Sequence, residues 1–210
     1  MNEELIMNLL WNQLISTIMQ LWIFIALPFI WWKWFKPPVH FSAWIGIKPV
    51  NHVTKKLVTT SLITFVVFAL FGTALICVTP DSTVLANTKF NNFKLTTVLA
   101  MLLYAFFQTA TAEEILFRGF FAKRIQHKFG YFKGNLTQAI LFGALHGGLL
   151  LASHIGLIFV LLTFIFTSCI GFAFYYIDEN MANGSIIPSI LLHGCANAVS
   201  SLVFMSGLII

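Results

Sequence analysis

The chain has 210 residues, 59% of them apolar and 9% charged, with a mean hydropathy of +0.88. Water-soluble chains average roughly 25% charged residues, so no soluble fold of this size could hide so much apolar surface, and lipid must be the main solvent. The formal charge of +5 sits in short basic clusters between apolar runs; such clusters orient a membrane chain and give no ground for nucleic-acid binding.

A helix crosses the ~30 Å hydrocarbon core with about 20 residues. Six segments reach that length, roughly 5–32, 57–79, 95–122, 136–153, 155–177 and 186–208. The predicted class is all-α, a polytopic transmembrane helical bundle of about six spans forming one domain over 1–210. The N-terminus, MNEELIMNLL, is acidic and has no small-residue cleavage site, so the first run is read as a retained span. Between the fourth and fifth runs stand little more than His154 to Gly156, which predicts a tight helical hairpin.

The connections set the orientation. From Lys33 to Lys56 there are five lysines and no acid, with Trp31, Trp32 and Trp34 as an interfacial belt. The third connection holds Lys123, Arg124, Lys128 and Lys133; in the second, Asp81 offsets Lys89 and Lys94. Connections one and three are therefore expected in the cytoplasm and both chain ends outside. The fifth connection, with Asp178 and Glu179, has no basic residue to support this. Cys77, Cys169 and Cys195 lie singly in apolar stretches and are read as small core residues, not as a disulfide framework.

The third span ends in TAEEILFRGFFAKR. A charged residue near a span centre costs about 2.5–3.5 kcal/mol, so Glu113, Glu114 and Arg118 need partners or a wet cavity. Glu114 and Arg118 are i, i+4 and can neutralise each other, whereas Glu113 points about 100° away on the wheel, towards another neighbour. In the fourth span, ILFGALHGG places Phe142 one turn before His146, and Gly147 and Gly148 allow a backbone or a substrate to approach closely. In the sixth, SILLHGCANAVSS sets His193 and Asn197 at i, i+4, so both reach one point. At 1.5 Å per residue Glu113, His146 and His193 lie ~14, ~15 and ~12 Å below their cytoplasmic edges. Three spans thus put polar residues at nearly one level.

An acid withdrawn among apolar helices is a useful base near neutral pH. With His146 it can hold and deprotonate a water, while His193 and Asn197 offer donors to an oxyanion. The same Glu113, His146 and His193 are also the ligand set of a zinc site with one open position; spacing does not choose between the two.

Glu113-Glu114-x-x-x-Arg118, Phe142-x-x-x-His146 and His193-x-x-x-Asn197 together resemble the three-motif signature of the CPBP family, the CAAX prenyl protease 2 and bacteriocin-processing (Abi) membrane proteins. The likeness covers roughly 95–205. It implies an intramembrane endopeptidase whose cavity opens to the cytosolic side. Glu113 and His146 would activate water, His193 and Asn197 would hold the oxyanion, and Glu114 and Arg118 would support them. It further implies a membrane-associated peptide or protein substrate, as in CAAX-type processing, bacteriocin or peptide maturation, or self-immunity. A bacterial plasma membrane is the expected setting. Two other functions use the same residues: a noncatalytic scaffold or immunity protein, and a proton-coupled transporter with Glu113 and His146 as relay. Ser189 and His193 lack the glycine-rich context of a serine protease, and no HExxH occurs.

Overall fold

The computed structural model describes residues 3–79 and 86–207. Asp81 and the last residue of the expected sixth span, Leu208, lie outside them. Among the described residues there is no strand, and six helices are long and apolar enough to cross a membrane. We label them α1 (Glu3–Phe35), α2 (Lys55–Val78), α3 (Leu95–Phe129), α4 (Tyr131–Ala152), α5 (Leu157–Asn180) and α6 (Ile187–Met205). The chain is a multi-pass membrane protein.

Burial follows from the solvent. In α2 Leu57 is the one buried residue, and large apolar side chains such as Leu70 and Phe71 point outward, as lipid-facing residues do. Its start is capped by the Thr54 hydroxyl, which accepts from the Leu57 amide at 3.1 Å. The α4–α5 hairpin is as tight as the sequence predicts. Gly147 makes it so, because a Cβ there would sit 3.2 Å from Cβ of Phe164 and 3.3 Å from the Val160 carbonyl. Gly148 departs from expectation and faces open space.

Three expectations are corrected. The third connection shrinks to Gly130, whose φ of +89° and ψ of 163° suit glycine alone, and the basic residues around it are helical. Asp178 and Glu179 belong to α5: Asp178 is fully buried, and Glu179 forms an ion pair with Lys123. That pairing explains how the fifth connection lacks its own cation. The three cysteines are free and exposed, since an apolar thiol facing lipid needs no protein cover.

The first connection is more than an interfacial belt. A helical turn over Phe41–Trp44 folds in beneath the bundle, and Trp44 and Ile45 join Ile115, Phe120 and Ile186 in one buried cluster. The Ile186 amide donates to the Gly46 carbonyl at 2.9 Å, and the Ser185 hydroxyl to that of Lys48 at 2.6 Å. The basic end of the bundle is thus filled by protein.

Candidate active site

The site is built on α3, which is not a regular α-helix. Leu103–Thr111 and Ile115–Ala122 are wound as π-helix, with the single α-turn Ala112–Glu114 between them. Side-chain hydroxyls hold the wide turns: Thr109 donates to the Tyr104 and Ala105 carbonyls, both at 3.0 Å, and Thr111 to the Phe106 carbonyl at 2.7 Å. Interruptions of this kind favour functional positions. The two glutamates still diverge as the wheel predicts.

Glu114 turns inward. Its Oε2 lies 3.0 Å from Nε of Arg118, and both side chains have no exposed surface. The guanidinium makes no regular hydrogen bond; it lies 4.1 Å over the Phe142 ring and 5.5 Å from that of Phe174, so charge and cation–π attraction hold it. The other oxygen, Glu114 Oε1, is 2.8 Å from Nδ1 of His193. A carboxylate can only accept, so the Nδ1 proton is assigned to His193.

Glu113 turns to the cavity. Its Oε2 lies 3.8 Å from Nε2 of His146 and 3.9 Å from Nε2 of His193, and it is buried without a hydrogen-bond partner. His146 Nδ1 is 2.9 Å from the Phe142 carbonyl, another group that only accepts, so the proton is again assigned to Nδ1. In the neutral rings both Nε2 lone pairs therefore face the carboxylate. Three acceptors around one gap call for a donor between them.

A tetrahedral zinc ion, bonded at about 2.0–2.2 Å, would hold its ligand atoms only about 3.4 Å apart. Among the described residues no three His, Cys, Asp or Glu side chains form a group that could hold a metal ion. The spacing suits a water, which sits about 2.8 Å from each oxygen or nitrogen it bonds.

All four expected residues, Glu113, His146, His193 and Asn197, line one cavity of about 470 Å³, with Phe142 beside them. The Asn197 amide donates to the Thr109 hydroxyl at 2.8 Å, which orients it and leaves a second N–H. Sequence reasoning missed Thr109, although its place one turn before Glu113 on the same helix was a readable signal. It also missed Asp178, a third buried carboxyl that accepts from the Ser189 amide at 3.2 Å. No spacing rule reaches it from the other motifs.

The family model for type II CAAX prenyl endopeptidases of the Rce1-like kind matches residues 95–199, the stretch from the start of α3 through the His193–Asn197 turn of α6. The chain belongs to this family. No curated protein and no solved structure matches it significantly. As a member of the type II CAAX prenyl endopeptidase family it is a CAAX-type intramembrane protease in the general sense, with its site roughly halfway along the spans.

Proposed function

We propose that this chain is an endopeptidase in which Glu113 and His146 activate a water held in the gap they share with His193. The observation that carries this is the unpartnered Glu113 Oε2 facing two imidazole nitrogens. The water oxygen bonds to the scissile carbonyl carbon as Glu113 takes one of its protons. The carbonyl electron pair becomes an oxyanion opposite the free N–H of Asn197 and, once His193 carries a second proton, its Nε2–H. The Glu114 carboxylate behind Nδ1 fixes that ring and balances its charge, as the acid of a catalytic triad does. When the carbon–nitrogen bond breaks, the proton held by Glu113 passes to the leaving amine, giving one carboxylate and one amine. His146, fixed through its Nδ1 on the Phe142 carbonyl, orients the water.

The substrate we infer is a membrane-associated peptide or protein, and the setting a bacterial plasma membrane. The test is cleavage of a peptide library by purified protein, with and without chelator, analysed for metal. Cleavage that persists under chelation supports the water mechanism. Loss of cleavage restored by zinc overturns it, and no cleavage under any condition favours the scaffold.

A further inference from the structure

The helices define two ends. Lys55 of α2, Lys128 of α3 and Lys133 of α4 mark one; Val78, Leu95 and Ala152 mark the other. The basic end is the cytoplasmic one by the distribution of Lys and Arg. From Glu113, His146 and His193 the cavity runs away from that end. Its further walls are Leu75 to Thr79 on α2, Leu150 to Ser153 on α4, and Asn87 in the second connection. Thr163 and Thr167 continue it along the half of α5 remote from the basic end.

Towards the cytoplasmic end the space is occupied. Ile45, Arg118, Phe120, Asp178 and Ile186 form a layer in which no residue is more than 3% exposed. Beyond it Lys123 pairs with Glu179 and donates to the Gly184 carbonyl at 3.0 Å. A polypeptide coming from the basic loops would have to displace this packing. The cavity wall is also nearly free of charge. Apart from Glu113, His146, His193 and the Tyr104 phenol, its lining is amide, hydroxyl and apolar, with no Lys or Arg to hold a free C-terminal carboxylate.

We infer that the site is served from the membrane face opposite the basic loops, and that its substrate is an uncharged, extended segment of a polypeptide presented at that face and cut at an internal bond. The inference rests on the hydrolase reading for the cut but not for the approach. It replaces the cytosolic approach that the family resemblance implies.

The test uses the full chain in intact cells, with Cys77, Cys169 and Cys195 changed to alanine and one cysteine introduced at a time. Ser153→Cys at the cavity mouth and Thr167→Cys inside it should react with a membrane-impermeant maleimide added outside. Lys128→Cys should react only after permeabilisation. The reverse pattern, or a Thr167→Cys reached only from the cytoplasmic side, overturns the inference. If Thr167→Cys fails to accumulate, Ser153→Cys and Lys128→Cys still decide it. In sealed vesicles of known orientation, an uncharged peptide with blocked ends should be cut when added at the Ser153 face and spared at the Lys128 face; the opposite preference again overturns it. Detergent-solubilised protein that cuts no peptide would fell the hydrolase reading alone, because the labelling pattern is independent of turnover.

Discussion

Arg118→Met removes the cation paired with Glu114 while keeping an unbranched side chain of similar length beneath Phe142 and Phe174. Both partners are fully buried at 3.0 Å, so the Glu114 carboxylate would be left among apolar rings with His193 Nδ1–H as its remaining donor. Breaking a buried pair from one side costs about 3–5 kcal/mol, because the surviving charge keeps its desolvation penalty without its compensation. For a chain of this size that corresponds to a fall in Tm of about 6–20 °C. Glu114→Gln strands the guanidinium instead and should cost a similar amount. The double variant removes both charges and leaves an amide oxygen for His193, so it should be more stable than either single variant. Thermal unfolding of the four proteins in one detergent, followed by tryptophan fluorescence, measures the cycle. A Tm for Arg118→Met within about 2 °C of wild type, or single losses that simply add in the double, would refute the reasoning.

Further predictions follow from single contacts. Thr109→Val deletes the acceptor that orients Asn197 and should lower kcat about five- to tenfold, on the order of 1 kcal/mol, with KM and Tm little changed in steady-state assays. Gly119→Ala puts a Cβ 2.5 Å from the Ile45 carbonyl; it should cost about 1–3 kcal/mol, read as a lower Tm and faster proteolysis of the first connection. Gly130→Ala strains the turn between α3 and α4 at φ +89° by about 1–3 kcal/mol, lowering Tm without altering KM.

Much of the fold was legible because a bilayer leaves few choices: long apolar runs must be helices, and buried charge must find partners. The Glu114–Arg118 pair and the divergence of Glu113 followed from helical spacing. The convergence of Glu113, His146 and His193 followed from their shared depth. Other features depend on contacts between segments distant in sequence. Trp44 and Ile45 read as interfacial because nothing local shows that Ile115, Phe120 and Ile186 will cover them. Asp178 and Glu179 read as a loop because their partners, Ser189 and Lys123, come from α6 and α3. The π-turns of α3 were hidden, since the threonine hydroxyls that support them are equally at home in an α-helix. The outward cysteines were misjudged by a soluble-protein habit, in which apolar means inside.

The most direct test of the water mechanism is the turnover of Glu113→Gln, which keeps the size and the hydrogen-bonding oxygen but cannot take a proton. Glu113 makes no hydrogen bond through Oε2, so the variant should fold with Tm essentially unchanged. Its kcat should fall by about 10²–10⁴, the usual contribution of a general base. A Glu113→Gln protein that folds normally and cleaves its peptide at the wild-type rate would contradict the account.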